Sequence, residues 1–225
     1  NGFFTGKIGV ADNKAGYNGY DNDVDFAEGS KLGLQGTFAL TDQTKIVAQL
    51  VARGKDDWET EMEWAFLSHD FDNGFTGRVC RLRVPLYMYS DYLEVGYAQP
   101  WATPPSELYS IVPLTSFDGG DLIYETDLGE TSLTLQASYG HASRDAGTGF
   151  GDVDYKNVAG ASAQVGYEDW TFRTTYYQTT LDTQKPSVGN VVNFDKEKGY
   201  FAGVGLGYDN GELLVVSEFA ISDVE

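Results

Sequence analysis

The chain has 225 residues, with 34 acidic and 15 basic side chains, a formal net charge of −19, 27 glycines, 14% aromatic residues and one cysteine. That charge balance argues against a nucleic-acid partner, whose phosphates require a Lys/Arg surface, and a lone cysteine excludes an internal disulfide or a cysteine-based zinc site. No run of about 18 apolar residues occurs, which excludes a transmembrane helix but not a membrane-crossing β-strand, where only every second side chain meets lipid.

From the N-terminus onward the sequence reads as a meander of strands with period-2 alternation. No basic and apolar leader precedes Asn1, so the sequence reads as a mature, exported form. Over Lys31–Leu40, Leu32, Leu34, Phe38 and Leu40 share one face, while Lys31, Gln35 and Thr37 share the other. Over Lys45–Gly54, Ile46, Ala48, Leu50 and Ala52 oppose Lys45, Gln49 and Arg53. In the next segment Glu61 and Glu63 alternate with Met62, Trp64 and Phe66, which predicts two inward carboxylates between outward apolar residues. Later segments repeat the pattern: Leu133, Leu135, Ala137 and Tyr139 against Ser132, Thr134, Gln136 and Ser138; Trp170, Phe172 and Tyr176 against Thr171, Arg173 and Thr175; and Tyr200, Val204, Leu206 and Tyr208 against Gly203, Gly205 and Gly207.

Such segments number roughly 11, each about 10 residues long, as a tilted strand needs to cross a bilayer. Tight-turn signals at Thr41–Gln43, Asp72–Gly74, Asp127–Gly129, Glu168–Asp169 and Asp209–Gly211 alternate with longer connections at Ala11–Gly29, Lys55–Glu59, Ser90–Gly120, Ala142–Asp152 and Asp182–Asp195. Alternating short and long connections are expected of a transmembrane β-barrel with short turns at one rim and long loops at the other. Aromatics beside the turns, such as Phe71, Phe75, Tyr167, Trp170 and Tyr208, suit an interfacial girdle. The competing fold is a soluble β-sandwich with aromatic cross-strand pairs, which gives no reason for alternating loop lengths. An odd strand count and a polar end at Ser222–Glu225 predict that further strands close the ring.

Ser90–Gly120 is the longest connection and the least polar, with Pro100, Trp101, Pro104, Pro105, Tyr109, Ile111, Val112, Pro113 and Phe117. This composition predicts a segment packed against protein, and in a wide barrel the available space is the lumen. Just before it, Leu82, Val84, Leu86 and Met88 are expected to face lipid, which aims Arg81 and Arg83 inward. Cys80 shares the lipid-facing parity and reads as a buried small apolar residue or an introduced change. Inward parity also collects Lys45, Arg53 and Arg173.

The stretch Arg81-Leu82-Arg83-Val84-Pro85-Leu86-Tyr87, followed by Tyr89-Ser90-Asp91, Pro100-Trp101, Pro104-Pro105 and Ser116-Phe117-Asp118-Gly119, resembles the Gram-negative outer-membrane porins, specifically a porin-like proteobacterial group. The resemblance implies an all-β antiparallel barrel of 16 strands when complete, residence in the outer membrane, contact with lipid and lipopolysaccharide, and a homotrimer. It also implies that the long connection folds inward as an acidic constriction, with Glu107, Asp118 and Asp121 on the loop side and Arg81 and Arg83 on the wall. Glycine commonly stands in such relatives where Cys80 stands here. The implied activity is passive diffusion of small hydrophilic solutes or ions, with no cofactor and no catalysis.

Two other functions stay open at this point: a non-conducting structural or receptor barrel, and a carbohydrate-binding or hydrolytic β protein using its Tyr and Trp side chains. Asp21, Asp23 and Asp25 begin like an EF-hand loop, but Phe26 and Leu32 occupy the positions that need glycine and glutamate, which leaves an acidic loop able to gather divalent cations loosely. Gly203, Gly205 and Gly207 lack phosphate-loop spacing. Ser68, His69 and Asp70 alternate across a strand and so cannot converge as a triad.

Overall fold

Eleven strands form one antiparallel sheet whose spatial order follows the sequence: β1 (Gly2–Thr5), β2 (Lys31–Ala39), β3 (Thr44–Arg53), β4 (Thr60–Asp70), β5 (Phe75–Arg83), β6 (Ser116–Leu128), β7 (Thr131–Asp145), β8 (Asp152–Tyr167), β9 (Trp170–Gln184), β10 (Asp195–Asp209) and β11 (Leu214–Val224). The computed structural model describes residues 1–12, 19–101, 103–145, 152–184 and 194–225, and these carry every structural statement made of the chain.

All five expected tight turns join neighbouring strands. Three residues of one turn, Asp72, Asn73 and Gly74, take φ of 61°, 55° and 81°, and Glu168, Gly129 and Gly211 are also left-handed. Such conformations reverse the chain while matching the twist of the flanking strands. The expected connections at Ala142–Asp152 and Asp182–Asp195 are trimmed, because β7 extends to Asp145 and β9 to Gln184. Their remaining residues, 146–151 and 185–193, and residues 13–18 of the first connection lie outside the described residues.

Cross-strand register carries the apolar rows from strand to strand on one face. Leu34 pairs with Leu50, Phe38 with Ile46, Ile46 with Leu67, Leu133 with Val165, Val165 with Phe172 and Phe172 with Leu206. These rows are turned out of the fold: Phe38 is 66% exposed, Leu34 59% and Phe172 47%. A β-sandwich would bury such rows against a second sheet; all the described strands of this chain belong to one sheet.

The opposite face is covered by the connection between β5 and β6, residues 84–115. Met88 is held by Glu218 of β11, whereas Glu94, six residues on, is held by Arg53 of β3. Laid flat, β3 and β11 stand eight strand spacings apart, roughly 38 Å, too far for a segment that turns through Ser90–Tyr92 on the way. The sheet therefore curls around its own connection. Leu82, Val84, Leu86, Tyr87 and Leu114 pack there against Phe117, Val158, Tyr177, Leu181 and Phe201, forming the buried core of the chain.

Two expectations of side-chain direction are corrected. Leu82, Val84 and Leu86 do not face lipid; they are 1%, 3% and 4% exposed inside the curled sheet. Leu82 stands on the inward row of β5 opposite buried Phe117, and Val84 and Leu86 follow where the chain leaves the wall after β5. Met88 is half-buried on the same side. In β4, the register shifts at Glu63, so that Trp64 pairs with Gln49 while Met62 pairs with Leu50. That bulge leaves Met62 outward but turns Trp64 and Phe66 inward.

Candidate functional site

The inner segment is seated on glycines. A Cβ added at Gly205 would lie 2.5 Å from the Met88 sulfur, and one at Gly207 would lie 3.3 Å from its Cε methyl. Gly203, Gly205 and Gly207 thus leave the inner face of β10 bare enough for Met88 to lie against it. Next to this seat, Glu218 accepts hydrogen bonds from the Met88 N–H at 2.9 Å and from the Tyr109 hydroxyl at 2.5 Å. One carboxylate therefore ties both ends of the segment's middle part to β11. Burial, followed by the bond to Glu218, holds the Tyr109 hydroxyl well above the usual tyrosine range. Arg173 reaches across from β9 and donates to the Pro85 carbonyl at 2.8 Å.

At the other end the segment meets charge. Arg53 bonds Glu61 at 2.7 Å, Glu63 at 2.6 Å and Glu94 at 2.9 Å, Lys31 bonds Glu94 at 3.1 Å, and Arg83 bonds Glu63. Arg83 also stacks 5.8 Å from the Trp64 ring centre, and Arg78 lies 5.3 Å from that of Phe66. The inward turn of the two aromatics at the β4 bulge thus gives the cations apolar backing. Burial opposes ionisation of Glu94, but Lys31 and Arg53 outweigh it and bring its pKa down to about 2.

Of the expected wall cations, Arg53, Arg83 and Arg173 lie inside, as does Lys45, which is exposed to the interior beside Gln35 and Thr37. Glu61 and Glu63 also face inward and join the Arg53 cluster. Arg81 does not face inward. It pairs in register with outward Ala65 and with Asp118, and it binds Asp118 through two contacts of 3.0 Å on the outer face. The inward row of β5 is set by Arg78, opposite Ser68 and Asp121, and strand alternation then sends Arg81 outward.

The acidic side of the site is also rearranged. Asp118 and Asp121 belong to β6 and not to the loop; Asp118 is outward, and Asp121 is buried inward against Arg78 at 2.5 Å and Gln136 at 2.7 Å. Glu107 is exposed on the short helix Ser106–Tyr109 and bonds only its neighbour Ser106, at 3.5 Å, among the described contacts. The carboxylate that the loop does bring to the wall is Glu94. Sequence reasoning missed Glu94, Arg78 and Glu218, and it placed Lys31 on the polar face without assigning it to the cluster. Arg78 and Glu218 were within reach, since Phe75, Gly77 and Val79 mark the outward row of β5, and Ser217, Phe219 and Ile221 mark that of β11.

Cys80 is likewise corrected: its register partners Phe66 and Gly119 lie on the inward row, it is exposed and not buried, and it takes a φ of 98°, a glycine-like backbone. Ser68 lies inward and His69 bonds Thr44 at 2.8 Å on the other side, so the two stay apart as alternation requires. In the first long connection, Asp25 accepts from the backbone N–H groups of Ala27 and Glu28, and Asp21 from that of Asp23.

Between the inner segment and β2–β6 remains a polar cavity of about 450 Å³ lined by Lys45, Arg78, Arg83, Asp91 and Glu125 among others. Charges of both signs facing across a gap order water and bias the passage of ions.

No family model and no curated protein matches the sequence. Among solved structures, the chain is similar to OmpF of Salmonella typhi in complex with daunomycin (13% identity, 90% of this chain and 74% of that chain, TM-score 0.46). It is similar also to the anion-selective porin of Comamonas acidovorans (17% identity, 100% and 80%, TM-score 0.44). A third likeness is to a loop-deletion mutant of OmpT, an outer membrane protein of Vibrio cholerae (12% identity, 100% and 94%, TM-score 0.34). The antiparallel barrel-wall fold itself stands on the strand register and the exposure of the two faces.

Proposed function

We propose that this chain forms the wall and constriction of an outer-membrane porin, a passive water-filled channel for small hydrophilic solutes or ions in a Gram-negative bacterium. The observation that carries the reading is the opposition of the two faces. Rows of exposed Leu, Ile and Phe cover the outside, while the inside holds ion pairs and a connection folded back into the space the sheet surrounds. Apolar rows of this kind are expensive in water and favourable in hydrocarbon, at about 25 cal/mol per Å². Passage through such a channel requires no chemistry from the protein, and no catalytic role is assigned to any residue.

The segment's attachment to both β3 and β11 also supports a second reading, a barrel whose interior is blocked by its own connection. Single-channel recording in a planar bilayer separates the two. Discrete, ohmic conductance steps are expected of the porin, and their absence under conditions where the protein inserts would favour the blocked barrel. Assembly as a homotrimer and contact with lipopolysaccharide belong to the same proposal, and cross-linking in native membranes tests the first.

A further inference from the structure

The interior is not polar throughout. On the side away from the charged cluster, between residues 111–114 of the inner segment and the inner faces of β7–β11, lies a second cavity of about 690 Å³. Its walls are aliphatic and aromatic, with Leu114, Val153, Val158, Leu181 and Phe201 all less than a tenth exposed. This size and lining are those of sites that take small organic molecules, which join an apolar body to a few fixed polar groups. For the free passage of hydrated ions such walls are ill suited, since they offer water few hydrogen bonds.

The polar groups on the rim point to the ligand. Of the twenty described residues that line the cavity, the one that carries a formal charge is Arg144. In a chain with 34 acidic and 15 basic residues, a lining that holds a guanidinium and, among the described residues, no carboxylate favours an anion. Arg144 and Tyr155 line the same cavity, and Arg144 is exposed. The guanidinium fork matches a carboxylate, and Tyr155 and Tyr177 add aromatic surface to the lining for an apolar body.

We infer that this cavity binds an amphipathic monocarboxylate, its aromatic or aliphatic body among Leu114, Val158, Leu181 and Phe201 and its carboxylate at Arg144. The site rests on reading the loop-bearing face as the protein's interior.

Equilibrium dialysis of 2-naphthoate against the chain in lipid nanodiscs, with empty nanodiscs subtracted, tests it. Saturable binding to one site is expected, weakened at least tenfold by Leu181→Trp, which fills the cavity, and three- to tenfold by Arg144→Gln. The neutral analogue 2-naphthalenemethanol should bind wild type and Arg144→Gln alike. Where Leu181→Trp loses its β-sheet circular dichroism, Leu114→Phe on the opposite wall takes its place. Absence of saturable binding, or equal binding of 2-naphthoate to wild type and to both variants, overturns the inference. Conductance recorded on the same preparation keeps the two ideas apart: a chain that binds 2-naphthoate but never conducts loses the pore and keeps the site, and one that conducts without binding does the reverse.

Discussion

Glu218 of β11 and Met88 of the inner segment are 130 residues apart in sequence, yet the carboxylate of the first accepts the backbone N–H of the second at 2.9 Å. The same carboxylate holds the Tyr109 hydroxyl. Hydrogen bonds to a charged group are worth about 1.5–3 kcal/mol each. Glu218→Ala is therefore expected to loosen the segment, lowering thermal stability in detergent and adding open-channel noise and intermediate current levels. Quiet, wild-type current from this variant would show that the segment is held elsewhere.

The glycine seat gives an independent handle on the same attachment. Gly205→Leu places a branched side chain where Met88 lies, and overpacking of this kind costs about 1–3 kcal/mol. The double variant Gly205→Leu/Met88→Ala should recover most of the lost stability in thermal unfolding, because the two side chains compete for one space.

Ion selectivity should respond to Lys45 and not to Arg81. Lys45 is exposed within the polar cavity, and no ion pair is found for it among the described residues; Arg81 is outward and bonded to Asp118. In reversal-potential measurements under a salt gradient, Lys45→Glu is expected to shift preference toward cations, whereas Arg81→Glu leaves it unchanged. A shift with Arg81→Glu alone would reverse the direction assigned to β5.

Acid should release the loop late. The pKa of Glu94 is lowered from 4.5 to about 2 in the folded chain. Its contribution is therefore complete above pH 4.5 and is lost as the pH falls through about 2. A displacement of this size corresponds to about 3 kcal/mol. Thermal unfolding between pH 5 and pH 2 should show a falling midpoint that Glu94→Gln largely flattens, since glutamine is already uncharged.

Cys80 sits at a φ of 98°, where a side chain is strained by about 1–3 kcal/mol. Glycine relieves that strain at an entropic cost of about 0.5–1 kcal/mol, so relief wins. Cys80→Gly is expected to raise the denaturation midpoint by about 1 kcal/mol equivalent, whereas Cys80→Ser leaves it close to wild type.

Strand positions, tight turns and the two faces of most strands were legible in the sequence because each depends on local signals: period-2 alternation and turn residues. Leu133, Leu135 and Phe172 point outward as the alternation predicts. Where the reading failed, a tertiary event had broken the period. At Glu63 a bulge exchanged the faces of Trp64 and Phe66, and after Arg83 the chain left the wall, so that Val84, Leu86 and Met88 no longer reported on lipid or on the direction of Leu82 before them. That second break misled the reading of Arg81, because a parity taken from the residues beyond it does not hold within β5, where Arg78 sets the inward row. It also hid Glu94, whose partners Lys31 and Arg53 lie 63 and 41 residues away, separations that no local pattern encodes.

Site-directed spin labelling along β7, on a Cys80→Ser background in lipid bilayers, tests most directly whether the two faces meet different solvents. Labels at Leu133, Leu135 and Ala137 should collide with oxygen dissolved in hydrocarbon, and labels at Thr134 and Gln136 with a water-soluble nickel chelate, alternating residue by residue. Uniform accessibility to the chelate on both sets, or protection of both from either reagent, would contradict the account.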